Sequence, residues 1–111
     1  MRRFALFALM ICAVPATAQD NWVELSGDEI REALTDRRLQ YANAWQEFNA
    51  SGRTLYNAGE DSWGYWRIQG DQYCSMWPPS DLWACYSLSK DGDVFRFEGV
   101  RGDSVEAVYA D

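Results

Sequence analysis

The chain has 111 residues, enough for one small domain, and carries 17 acidic against 10 basic side chains and no histidine. A formal charge of −7 leaves no basic footprint for phosphate groups, which argues against a nucleic-acid partner. Without histidine there is no Ser-His or Cys-His pair for nucleophilic catalysis, and a cysteine-based metal site lacks its usual companion ligand.

The first residues, MRRFALFALMICAVPATAQD, place Arg2 and Arg3 before an apolar run from Phe4 to Val14. The small-x-small triplet Ala16-Thr17-Ala18 follows, so residues 1–18 read as a secretory signal peptide cleaved after Ala18. The run is shorter than the ~20 residues needed to cross a bilayer, and no later segment is apolar enough, so no membrane span is expected. Ile11 before Cys12 is too large for a lipobox, and Cys12 is expected to leave with the leader. Cleavage removes Arg2 and Arg3 and none of the acidic residues, making the remaining chain more acidic still. Residues 19–111 then form a single exported domain, periplasmic or secreted.

Leu25-Ser26-Gly27-Asp28-Glu29-Ile30 announces a helix: Ser26 as N-cap, Glu29 as its capping-box partner, Leu25 and Ile30 as a hydrophobic staple. Ile30, Ala33 and Leu34 give a short apolar stripe, and Thr35-Asp36-Arg37-Arg38 interrupts it. The spacing predicts a helix over 27–35, with strands rather than more helix over 36–50. Short aromatic and β-branched runs divided by turn residues follow: 45–49, 54–56, 64–69, 72–77, 83–89, 94–98 and 105–109. Asp91-Gly92 is the strongest hairpin signal. As a two-residue loop it pairs Leu88 with Phe95 and Tyr86 with Phe97, and all four share one face. Pairing Cys74 with Cys85 adds Tyr73, opposite Tyr86, to that face, which is the expected core. The fold class is mainly β: a short capping helix, then an antiparallel meander curling into a small barrel-like sheet.

In an oxidising compartment the remaining cysteines, Cys74 and Cys85, flank a loop at equivalent strand positions and are expected to bond. A redox pair of the Cys-x-x-Cys kind needs closer spacing. Between them lies Trp77-Pro78-Pro79-Ser80-Asp81-Leu82-Trp83. Prolines lower the cost of ordering a loop, and tryptophans are enriched among interface hot spots. Trp77, Pro78, Pro79 and Trp83 are therefore the candidate binding residues. The competing expectation is that both tryptophans fold back as a lid. Arg101-Gly102-Asp103-Ser104 matches an adhesive tetrapeptide but also reads as a plain hairpin turn, and Asp91-Gly92-Asp93 is too short for a calcium loop.

The leader, Leu25-Ser26-Gly27-Asp28-Glu29-Ile30-Arg31, Gly52-Arg53-Thr54-Leu55-Tyr56, Gly64-Tyr65-Trp66, Tyr73-Cys74, Trp77 and Cys85-Tyr86 together resemble a group of small exported alphaproteobacterial proteins of uncharacterised function. The resemblance covers nearly the whole chain after the leader and implies fold and compartment; it carries no catalytic residues. The functional expectation is a non-catalytic binding domain for a protein or glycan partner, without cofactor or metal. Alternatives are a lipocalin-like binder of a small apolar or aromatic ligand, a carboxylate-based hydrolase, and a structural envelope protein.

Overall fold

A computed structural model of the protein describes residues 21–111; the expected signal segment, its cleavage point and Cys12 lie outside the described residues. The elements in chain order are β1 (Val23–Glu24), α1 (Gly27–Leu34), β2 (Arg37–Gln40), β3 (Trp45–Phe48), β4 (Arg53–Asn57), β5 (Asp61–Gln69), β6 (Gln72–Met76), β7 (Ala84–Asp91), β8 (Val94–Gly99) and β9 (Ser104–Tyr109). Strands β2 to β8 pair with their sequence neighbours, antiparallel throughout. β9 pairs with both β8 and β2, which closes the sheet into a barrel of eight strands. β1 stands outside this ring and lines up on the far end of β7, with Val23 opposite Lys90.

The helix forms as its cap pattern requires. Ser26 Oγ accepts from the Glu29 backbone N–H and the Ser26 N–H donates to Glu29 Oε1, the reciprocal bonds of a capping box. It ends at Leu34, and Thr35 is already extended. Asp36 takes a left-handed conformation (φ 59°) that turns the chain into β2, and its carboxylate accepts from the Ala50 N–H at 3.0 Å. Residues 36–50 are thus strand and turn, as the alternating pattern predicts.

The helix stoppers one end of the barrel. Its first turn presses on the β5–β6 turn so closely that a side chain at Gly27 would collide with the Gly70 carbonyl oxygen. The Gly27 N–H donates to Asp71 Oδ1, and the Tyr109 hydroxyl donates to the Ala33 carbonyl, so the β5–β6 turn and the last strand of the ring are both tied to it. Ile30 and Leu34 insert among Leu39, Phe48, Leu88 and Phe95, all fully buried. Phe48 is the hub of this lower core, meeting Trp66 and Tyr73 edge to face at 5.7 and 5.6 Å.

Two register expectations meet the structure differently. Cys74 lies opposite Cys85 and Tyr73 opposite Tyr86, and the disulfide is formed. At the next hairpin, however, Leu88 faces Phe97, Lys90 faces Phe95 and Tyr86 faces Gly99. The loop residues are Gly92-Asp93, not Asp91-Gly92. The physical reason is the turn itself. Gly92 alone has a positive φ (60°), so the glycine takes the first central position, as in a II′-type turn, instead of forcing Asp91 into that region. The shift is by two residues, which preserves side-chain parity. Tyr73, Leu88, Phe95 and Phe97 are buried on one inward face as expected, while Tyr86 on that face is half-buried.

Candidate functional site at the barrel mouth

Opposite the helix the barrel stays open, and the residues there differ in kind from those below. A layer of polar groups crosses the lumen, centred on Gln46, which is 4% exposed. Its Nε2 donates to Thr54 Oγ1 at 2.9 Å and to the Tyr73 hydroxyl at 3.0 Å, and its Oε1 accepts from the Tyr41 hydroxyl at 2.6 Å. Thr54 in turn donates to the Glu47 carbonyl. The amide of Gln46 is thereby used on both sides, and its orientation follows from its partners. Burial raises the Tyr41 phenol well above its ordinary value and pushes Tyr73 up to about 12, with hydrogen bonds from Ser75 and Gln46 partly opposing the shift at Tyr73. Both are neutral hydroxyls at any physiological pH.

Above this floor is a cavity of about 800 Å³, within the range of small-molecule sites. Its wall is a chain of rings: Trp77 to Tyr56 at 6.0 Å, Tyr56 to Tyr41 at 6.1 Å, Tyr41 to Phe97 at 6.2 Å, Phe97 to Tyr73 at 5.3 Å and Tyr73 to Tyr86 at 6.3 Å. Strand alternation brings these inward positions together from β4, β6, β7 and β8, with Tyr41 just beyond β2 and Trp77 just beyond β6. Two inward-facing glycines make room for loop side chains to fold over the opening. At Gly64 a Cβ would come within 2.6 Å of the Trp77 ring and of the Met76 carbonyl; at Gly99 it would come within 2.5 Å of the Asp103 carboxylate. Gly64 is the seat of Trp77 and Gly99 the seat of Asp103.

The four residues singled out in the sequence do not form one patch. Trp77 turns into the mouth, its indole N–H donating to Ser75 Oγ at 3.2 Å, and Pro78 beside it lines the same cavity. Pro79 is exposed and away from the cavity lining. Trp83 lies on the outer wall, where the Arg67 guanidinium stacks on it at 3.9 Å. Both tryptophans are half-buried, so neither is sealed in the core. Cys74 and Cys85 hold the two strands beneath the loop. The adhesive tetrapeptide is a turn, with Gly102 at a positive φ and the Gly99 N–H donating to the Asp103 carbonyl. Gln46, Tyr41, Tyr56 and Asp103 were not singled out. Gln46 and Tyr56 sit at inward parity in the runs that flank the Gly52 turn and Tyr41 shares the parity of buried Leu39 just beyond β2, whereas Asp103 reaches the mouth only because of the 101–104 turn.

Among the described residues Asp103 is the one carboxylate in the lining, where a glycosidase-type site needs a pair. No helix among the described residues is long and apolar enough to cross a membrane. No family model, no curated protein and no solved structure matches the chain.

Proposed function

We propose that the protein is a non-catalytic, exported binding domain that takes a small, largely apolar or aromatic ligand into the barrel mouth. The observation that carries this reading is the continuous aromatic wall over a hydrogen-bonded polar floor, in a barrel whose other end is stoppered by α1. Such a cavity offers an apolar, largely aromatic wall with a few fixed polar groups for orientation, the usual make-up of a small-molecule site. The disulfide and the leader-like first residues support an oxidising compartment. The stapled loop belongs to this reading through Trp77 and Pro78, which form part of the wall.

The test is titration with N-phenyl-1-naphthylamine, a neutral probe that brightens in apolar surroundings. Saturable binding at one site, weakened in Trp77→Ala, is the expected result. A probe that does not bind, or binds identically in Trp77→Ala and Tyr56→Ala, rejects the mouth as the site. A second reading, a protein or glycan docking on the loop, is favoured by Leu82, which is 77% exposed at the tip. Capture that depends on Leu82 and Trp83 but not on Tyr56 would identify it.

A further inference from the structure

We infer that the ligand of the barrel mouth carries a positive charge on an alkylated nitrogen, of the quaternary or tertiary ammonium kind. The inference rests on the mouth being the binding site and specifies what it selects.

The distribution of charge and donors across the molecule leads to it. Each ring of the wall carries a negative π-surface, and a cation is the species such surfaces attract beyond simple burial. Elsewhere the protein occupies its aromatic faces with its own cations. Arg38 stacks on Trp45, Arg67 on Trp83 and Arg96 on Trp22, each at 3.9 Å, and Arg53 reaches Tyr65 at 5.2 Å. Of the rings that line the mouth, Trp63 has Arg53 at 4.9 Å, but among the described residues no lysine or arginine itself lines the mouth.

The polar groups agree. An anionic ligand is best held by cationic donors, and the lining offers only neutral ones, of which both Gln46 N–H bonds, the Tyr41 hydroxyl and the Trp77 indole N–H already have partners within the wall or floor. Among the described residues the only charged side chain in the lining is Asp103, seated at the rim over Gly99, and none of them gives its carboxylate a hydrogen bond. It stands where an ammonium entering the ring of aromatics leaves water. The net charge of −7 adds a long-range attraction for cations. Aromatic walls, one rim carboxylate and no cation in the lining of the described residues together describe a cage for a methylated ammonium rather than for a neutral hydrocarbon or an acid.

A matched pair of probes tests the charge alone: (3-hydroxyphenyl)trimethylammonium and 3-tert-butylphenol, which have nearly the same shape and differ in the nitrogen. Each competes against N-phenyl-1-naphthylamine on the full chain at low salt. The cation is expected to bind about tenfold more tightly than its neutral isostere, the size of one good cation–π and rim-carboxylate contribution. Asp103→Asn should weaken the cation several-fold and leave the phenol unchanged. Asp103 is exposed in a surface turn, so this variant keeps its fold. Equal affinities, or a tighter neutral isostere, overturn the inference while the mouth stands as a pocket. If the naphthylamine binds and neither competitor displaces it, the inference also falls. If neither the naphthylamine nor the pair binds, the pocket reading fails and takes the inference with it.

Discussion

Replacing Gln46 by leucine probes the floor of the mouth without emptying it. Leucine occupies nearly the same volume, so the cavity term that dominates large-to-small changes is small. What is lost is one amide making three buried hydrogen bonds, to Tyr41, Thr54 and Tyr73. Each contributes about 1 kcal/mol net, and the partners left behind lose their mates in a dry environment, so the sum is about 3 kcal/mol. Thr54 retains its bond to the Glu47 carbonyl, which limits the loss at that end. For a domain of this size 1 kcal/mol corresponds to ~4–8 °C, so the melting temperature should fall by about 12–24 °C. Urea unfolding followed by far-UV circular dichroism measures the free energy directly. A double-mutant cycle with Tyr41→Phe isolates the shortest of the three bonds. In the wild-type background Tyr41→Phe should cost about 1 kcal/mol, and in Gln46→Leu close to nothing, because its acceptor is already gone. If Gln46→Leu is neutral or stabilising, or if the two changes simply add, the polar layer is not the connected network described and the reasoning is refuted.

Removing the staple through Cys74→Ala with Cys85→Ala should cost roughly 3 kcal/mol, because the bridge closes a loop with a sequence separation of 11; unchanged unfolding curves, or free thiols in the oxidised protein, contradict it. Phe95→Ala, at a fully buried position, should cost about 3–5 kcal/mol. Its neighbour Arg96→Ala, which loses an outer ion pair to Glu106 and a stack on Trp22, should cost less than about 1.5 kcal/mol; the reverse order in denaturant midpoints would place the strand the wrong way round. Arg37 donates to both carboxylate oxygens of Asp111 and holds that group down at about 2, from an ordinary 3.8. A depressed acid favours the folded state above its ordinary value and ceases to do so as pH falls through about 2. The melting-temperature gap between wild type and Asp111→Asn should therefore be constant from neutrality to about pH 5 and close between pH 4 and 2; a gap of equal size at both ends of that range rejects the ion pair as its source.

Much of the fold was legible because its determinants are local. The Ser26–Glu29 box, the break after Leu34 and the alternation around Tyr73, Leu88, Phe95 and Phe97 each involve residues a few positions apart, and each appears in the structure. The Asp91-Gly92 turn was misplaced because a glycine-containing hairpin has more than one phase, and only the backbone angle at Gly92 selects between them. The closing of the ring was foreseen only as a tendency to curl, since β2 and β9 share no sequence signal that announces their pairing. The mouth was half legible. Trp77 and Trp83 look equivalent in the sequence, flanking the same prolines, but they stand at opposite parity relative to the paired Cys74 and Cys85. One falls to the lumen and the other to the outer wall. Gln46 resembles any surface glutamine until the register of β3 against β4 places it opposite Tyr56. Asp103 belongs to the mouth only through a turn whose geometry the residues 101–104 do not disclose.

The arrangement of β9 has a bearing on how the chain comes into being. As residues emerge in order from a ribosome or a translocation pore, β3 to β8 can each zip onto the strand just made, every step a short hairpin. The β2–β9 pairing joins Leu39 to Tyr109 and must wait for β9 to appear. Until then the growing sheet carries two open margins, one on β2 and one on β8, each a row of unpaired amides able to seize a neighbouring chain. The last strand satisfies both margins at once. A chain halted a dozen residues early is thus not a slightly shorter version of the same protein but an open, double-edged ribbon, and the step from one to the other is set by the longest loop the fold has to close.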